Sequence, residues 1–171
     1  LQHPNIPQVY HLGKFDEQYF ISMEFISGQD VRAIFDRART RQIQLDLGIC
    51  AYIIMEVCEA LDYAHRKTNA KRQPLNLIHR DVSPQNIIVS YEGKVKLIDF
   101  GNATFNGHQV YTYIQSRYYR APEVLLGAYK TNQQGRRDPY YDQSIDMWSL
   151  GCTAIELFIK TPIFPGRYDY D

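Results

Sequence analysis

Two early runs, residues 8–12 and 18–25, are rich in aromatic and branched side chains and are joined by a turn-like stretch over 13–17. This predicts a pair of strands. Ser27-Gly28-Gln29-Asp30 breaks the pattern, after which residues 31–41 take up helical spacing with charges on the outer face. Residues 46–65 predict a longer helix of about 30 Å. Its apolar positions (Leu47, Ile49, Cys50, Ile53, Ile54, Val57, Cys58, Leu61, Ala64) cover more than one face, so it is expected to be buried on most sides. Residues 66–76 are polar and are expected to be mobile.

The second half begins with Leu77-Ile78-His79-Arg80-Asp81 and a short loop through Pro84. A hairpin follows, with arms over 87–90 and 94–98 joined by Tyr91-Glu92-Gly93, where the glycine can supply a positive φ. Residues 102–119 have no regular period and read as a long functional loop. Residues 132–140, with Gly135, Pro139 and paired arginines, read as a surface insertion. Residues 144–160 predict a second helix, apolar almost all round, which carries the one tryptophan, Trp148.

Composition narrows the function classes. With 171 residues, 44% hydrophobic and 22% charged, the chain has a soluble globular composition. Lys plus Arg equals Asp plus Glu at 19 each, so no overall field points to nucleic acid or to an acidic membrane surface, and neither is expected as a partner. The local basic clusters (Arg37, Arg39, Arg41; Arg66, Lys67, Lys71, Arg72) read as a solvated helix end and a solvated loop. Cys50, Cys58 and Cys152 have no metal-like spacing and read as small buried hydrophobes, which suggests a reducing, intracellular setting, cytoplasmic or nuclear. No run has the roughly 18 apolar residues that a membrane span needs. Leu1-Gln2-His3-Pro4-Asn5-Ile6 is neither a start nor a targeting sequence, and the chain is expected to begin in mid-domain.

The chemistry concentrates in His79-Arg80-Asp81-Val82-Ser83-Pro84-Gln85-Asn86 and in Asp99-Phe100-Gly101. Around one hairpin these place three oxygen-bearing groups, Asp81, Asn86 and Asp99. A loop carboxylate can take or orient a hydroxyl proton, and a carboxylate with an amide oxygen can hold Mg²⁺. Phosphoryl transfer depends on such positioning and charge neutralisation.

These blocks resemble the catalytic loop and the Mg²⁺ loop of eukaryotic-type protein kinases. The resemblance implies Asp81 as catalytic base, Asn86 and Asp99 as Mg²⁺ ligands, and ATP and Mg²⁺ as cofactors. Small-molecule kinases share a short His-x-Asp pattern, but Arg120-Ala121-Pro122-Glu123 resembles the end of a protein kinase activation segment. Asp146-Met147-Trp148-Ser149-Leu150-Gly151 likewise resembles the start of the helix beneath it, with Asp146 implied to cap the catalytic-loop backbone. His3-Pro4-Asn5-Ile6 and residues 19–26 resemble the last small-lobe strands and the hinge. Met23 is then the gatekeeper, backbone groups of Glu24 and Ile26 bind adenine, and Asp30 reaches the ribose. His79 and Phe100 are implied to stack between the lobes, with Val9 above them.

The stretch from Val110 to Arg120, containing Tyr111-Thr112-Tyr113, resembles the activation segment of dual-specificity tyrosine-regulated kinases, in the wider group of cyclin-dependent and MAP kinases. Tyr113 is then the activating phosphotyrosine, made by autophosphorylation, with Arg80 and Arg117 as partners for its phosphate. Ser116 implies Ser/Thr substrates, and Arg117 shapes the pocket for the residue that follows the phosphoacceptor. Three departures stand beside the match. Ser83 occupies the usual lysine position. The first hundred residues resemble bacterial Ser/Thr kinases while the later part resembles the eukaryotic group. The glycine-rich loop, the third-strand lysine and the helix glutamate are not in this chain, and Glu123 is expected to lack its arginine.

The expected fold is the α+β two-lobe kinase fold in partial form. Residues 1–26 are a small-lobe remnant and hinge, and residues 27–171 an incomplete, mainly helical large lobe. The expected function is transfer of the ATP γ-phosphate to Ser/Thr of protein substrates, with this chain inactive on its own. The alternative is a pseudokinase or binding module.

Overall fold

A computed structural model describes residues 1–105, 111–131, 133, 135 and 137–167. The early apolar runs form an antiparallel hairpin of β1 (Val9–Phe15) and β2 (Gln18–Met23). Asp16 and Glu17 at its tip both have positive φ, 43° and 67°, the turn geometry that follows the twist of paired strands. Most of its side chains are exposed, and polar groups tie its base to the body. The Glu24 carboxylate accepts from Gln8 N at 3.1 Å and from Lys96 Nζ at 2.9 Å. Lys96 is the main reason that this carboxyl is held below its ordinary range.

The predicted break over residues 27–30 contains a third strand, β3 (Gly28–Asp30), paired antiparallel with a later strand. Gly28 permits this pairing: a Cβ there would lie 2.3 Å from the Val89 carbonyl oxygen. Helix α1 (Val31–Thr40) starts from Asp30, whose carboxylate accepts from Ala33 N at 2.8 Å, an N-cap of the expected type. Helix α2 (Leu47–His65) is capped in the same way by Asp46. Burial corrects the expectation for α2. Cys50, Ile53, Val57, Ala60, Leu61 and Ala64 are buried, but Leu47, Ile49, Tyr52 and Met55 are exposed, so the helix buries one stripe.

Residues 66–76 fold back as a compact turn instead of a loose loop. Asn69 Oδ1 accepts from the amides of Lys71 and Gln73, and Leu75 N donates to Lys67 O at 2.7 Å. Then come β4 (Leu77–Ile78), β5 (Ile87–Ser90), β6 (Val95–Leu97) and β7 (Thr104–Phe105). The sheet order is β3-β5-β6, while β4 pairs with β7 inside the region read as a loop. Gly93 turns the β5–β6 hairpin with φ 83°. Residues 106–110 of that loop, including Val110, lie outside the described residues, as do 132, 134 and 136 of the predicted insertion. The rest of the insertion holds β9 (Arg137–Pro139), which pairs with β8 (Tyr129–Thr131) just after the short helix α3 (Pro122–Leu125).

Helix α4 (Ser144–Ile159) closes the body. One core cluster joins α1, α2, β5, β6 and α4 through Val31, Phe35, Val57, Leu61, Ile87, Leu97 and Leu157; a smaller one holds Ile78, Ile114, Ala121, Val124, Tyr141 and Ile145. Met147, Ile155, Phe158 and Ile159 are exposed, so α4 is not buried all round either. Trp148, also on the outer side, stacks on Phe164 with ring centroids 5.7 Å apart. Cys50 and Cys152 are buried and Cys58 half-buried, and burial raises all three thiol pKa values. Among the described residues no helix is long and apolar enough to cross a membrane.

A buried polar knot fastens α1 and α4 to the segment before α3. Glu156, 0% exposed, accepts from Tyr119 Oη at 2.6 Å and forms an ion pair with Arg32 at 2.8 Å; Arg32 also donates to Tyr119 Oη at 2.9 Å. Burial first, and the bond to Glu156 second, push the Tyr119 phenol pKa far up. Tyr119→Phe removes a hydrogen bond to a buried carboxylate and is expected to cost about 1.5–3 kcal/mol in chemical denaturation. The unfolded phenol ionises near pH ~10 while the folded one keeps its proton. Stability is therefore full below that pH and falls as pH rises beyond it, and Tyr119→Phe is expected to weaken that alkaline decline.

Candidate active site

Asp146 organises the loop over residues 79–86 from below. It sits in the first turn of α4 with 0% exposure, and its carboxylate accepts from His79 N at 2.8 Å, Arg80 N at 2.9 Å and His65 Nε2 at 2.9 Å. Two consecutive amides converging on one carboxylate require a sharp backbone bend, and Arg80 has φ 69°. The buried His79 ring completes the loop. Nε2 lies 3.0 Å from the Ile98 carbonyl and Nδ1 accepts from Asp81 N at 3.2 Å, which identifies the neutral Nε2–H tautomer. Burial lowers the His79 pKa, against the opposing pull of Asp146. Phe100 meets the His79 ring edge-on with centroids 4.5 Å apart.

Asp81 is thereby presented with its carboxylate fully engaged. Oδ1 accepts from Ser116 Oγ at 2.7 Å and from Ser116 N at 3.2 Å, while Oδ2 accepts from Asn86 Nδ2 at 3.0 Å. The Asn86 amide also donates to Asp81 O at 2.8 Å, which leaves its oxygen facing away from Asp81. Ile98 N donates to Asn86 O at 2.9 Å, so Asn86 and Asp99 stand at the same end of the β5–β6 hairpin. Asp99 is left-handed, φ 62°, with Oδ1 accepting from Gly101 N. One amide oxygen and one carboxylate oxygen are left for a hard cation. No cluster of three or more His, Cys, Asp or Glu side chains occurs among the described residues, so Mg²⁺ held there would take its other ligands from phosphate and water. These oxygens fit that ion.

The chain belongs to the protein kinase family. The model of the protein kinase domain matches residues 1–171. The chain is 48% identical over 93 residues to the probable serine/threonine-protein kinase dyrk2 of Dictyostelium discoideum, covering 53% of this chain and 9% of that protein. It is 48% identical over 97 residues to the dual specificity protein kinase YAK1 of Saccharomyces cerevisiae, covering 56% of this chain and 11% of that protein. Over 99% of this chain and 25% of the relative, it is 32% identical to the tyrosine-protein kinase MasK of Myxococcus xanthus. The kinase chain thus spans a quarter or less of these curated relatives.

Other site residues are placed as follows. Met23, Val9 and Phe100 line one cavity of about 250 Å³ together with Asp99. Glu24 and Ile26 lie on the segment between β2 and β3, and Glu24 N donates to Gln8 O at 2.8 Å. The Asp30 carboxylate, expected at the ribose, caps α1 in this kinase chain. Glu123 accepts from Ser144 Oγ at 3.3 Å. Ser83 is buried at the start of the turn over Pro84–Asn86.

Near Tyr113 the sequence reading missed one neighbour. The guanidinium stacked on the Tyr113 ring is that of Arg120, 4.1 Å from the centroid. Arg117 shares a surface recess with Tyr113 and donates to Arg167 O at 2.9 Å, while Arg80 faces Tyr111. Arg120 is fixed because Nε donates to Ile114 O at 2.8 Å and Nη2 to Gln115 O at 2.9 Å. Gln115, also missed, is left-handed with φ 66°. Its buried amide donates to Ile145 O and Ser149 Oγ and accepts from Ala121 N. An arginine and a glutamine look like surface residues in a linear pattern, so only contacts could reveal them.

Asp146→Ala leaves two buried amides without an acceptor, each worth about 1–3 kcal/mol, and a destabilisation of that order is expected in urea denaturation. A separate expectation concerns acid. The unfolded His79 takes up a proton below about pH 6.5 while the buried ring stays neutral. Stability from this group is therefore present above that pH and lost as pH falls, which a series of thermal midpoints between neutral and mildly acid pH will show.

Proposed function

We propose that the protein carrying this chain transfers the γ-phosphate of ATP to Ser/Thr hydroxyls of protein substrates, inside the cell where ATP is available. In this reading residues 1–26 are the small-lobe and hinge part, and the remainder belongs to the large lobe. The observation that supports it best is the Asp81 carboxylate, oriented by Asn86 and Ser116 beside the free oxygens of Asn86 and Asp99. Asp81 orients the attacking hydroxyl and takes its proton as the bond to phosphorus forms. Asn86 and Asp99 would hold Mg²⁺, which supplies neutralisation of the phosphate charge. Ser116, which donates to Asp81, is the hydroxyl residue that this reading takes as the mark of Ser/Thr acceptors. Tyr113 is the activating phosphotyrosine of this reading, and Arg80, Arg117 and Arg120 are cations that line recesses shared with it.

A second reading, a pseudokinase or binding module, draws on one observation. Ser83 is buried where a lysine charge would steady the transferred phosphate. The discriminating experiment uses the full-length protein with Mg·ATP and a general protein substrate. Asp81→Ala is expected to lower phosphate transfer about 10²–10⁴-fold. Equal silence of the parent and the variant would favour the binding module.

A further inference from the structure

Residues 66–76 hold four cations, Arg66, Lys67, Lys71 and Arg72, and no acid. Like charges repel, and a mobile loop would let them separate. Here Asn69 holds the segment in one shape. Its Oδ1 accepts from Lys71 N at 2.8 Å and from Gln73 N at 3.0 Å, and its amide donates to Gln73 Oε1 at 3.0 Å. Asn69 N donates to Gln73 O at 2.9 Å, and a bridge between Thr68 and Pro74 closes the base. At the tip Arg72 is left-handed, φ 59°, which carries a conformational cost for a residue with a side chain.

The four cations are not equivalent. Arg66 pairs with Asp62 at 2.8 Å and Lys67 Nζ donates to Tyr63 Oη at 2.8 Å. Lys71 and Arg72 are exposed at the tip, and neither has an ion pair among the described residues. Beside the base lies a recess of about 380 Å³ that His3, Tyr63 and Thr68 line. The His3 and Tyr63 rings stack there, with centroids 4.9 Å apart and planes 25° from parallel. Two cations, Arg66 and Lys67, and two acids, Glu59 and Asp62, complete the lining, so the recess is balanced in charge.

We propose that this turn and recess dock an acidic segment of a protein partner. Its carboxylates meet Lys71 and Arg72, and a neutral aromatic side chain lies against His3 and Tyr63. Charge complementarity supports the first contact, because two exposed cations held in one geometry take up an anion with little further ordering. The balanced recess favours a peptide over a nucleic acid. A continuous phosphate backbone would carry its charge past Glu59 and Asp62, whereas a peptide can place a neutral side chain there. None of these residues lines the cavity that contains Asp81, so the site goes beyond the catalytic reading and stands without it.

The test measures, by fluorescence anisotropy, binding of a labelled oligoglutamate peptide carrying a phenylalanine to the full-length protein. The comparison probes are the same peptide with alanine for phenylalanine, an oligolysine peptide, a single-stranded oligonucleotide and vesicles of anionic phospholipid. The glutamate peptide is expected to bind and the lysine peptide not to. Lys71→Glu with Arg72→Glu is expected to weaken binding roughly tenfold, while Arg37→Glu with Arg41→Glu leaves it unchanged. Asn69→Ala keeps every charge but loosens the turn, and is expected to lower the affinity severalfold. Tyr63→Leu is expected to bring the phenylalanine peptide down to the level of the alanine one; should that variant not fold, the two peptides on the parent protein still test the recess. Absence of binding, or equal binding after reversal at Lys71 and Arg72, overturns the site. An unchanged affinity in Asn69→Ala overturns the fixed turn as the recognition element, and equal affinity of the two glutamate peptides overturns the recess. Tighter binding of the oligonucleotide or the vesicles, lost on the same reversal, overturns the protein partner.

Discussion

The geometry of the candidate site hangs on one buried carboxylate. Asp146 accepts from two consecutive amides and from His65, and in doing so fixes the bend at Arg80 that aims Asp81. Apolar packing could not achieve this. Hydrophobic contact is non-directional, whereas two amides pointing at one acceptor define a backbone path within tenths of an ångström. The anion is affordable in the core because donors converge on it.

The same device recurs along the segment that leads to α3. Gln115 holds a left-handed backbone through three buried bonds, Arg120 grips the two carbonyls beside it, and the Tyr119–Glu156–Arg32 knot anchors the end. A non-glycine residue at positive φ carries a conformational cost, which here is offset by bonds that exist in one arrangement only. The loop that carries Asp81 lies between two apolar clusters, with Ile78 in the smaller one and Val82 and Ile87 in the larger. Packing supplies the platform and polar groups set the angles.

Arg80 links these layers. It is bent by Asp146 through its backbone, and its side chain reaches Asn102 and faces Tyr111 across the cavity that contains Asp81.

Local signals in the chain were enough for much of this. Gly93 as the hairpin turn and the two long helices follow from turn chemistry and periodicity, and the Asp81, Asn86 and Asp99 oxygens from the placing of their two blocks around one hairpin; the caps made by Asp30 and Asp46 were seen only in the fold. Family-specific motifs carried Asp146 and the pairing of His79 with Phe100. What sequence alone misjudged was long-range. It read β3 as a break because a three-residue strand exists only through its partner, β5. It read α2 as buried on most sides and α4 as apolar almost all round because apolar periodicity reports which faces could be covered, not which are. It read residues 66–76 as mobile because the bonds of Asn69 are invisible to composition. The neighbours of Tyr113 were likewise only partly legible: Arg120 stacks on its ring, while Arg80 and Arg117, expected as partners of a phosphate there, line recesses that Tyr113 also lines. Spacing determines which residues can lie on one turn or one strand, but the choice among several nearby arginines is made by the carbonyls that hold each guanidinium, and those come together only in three dimensions.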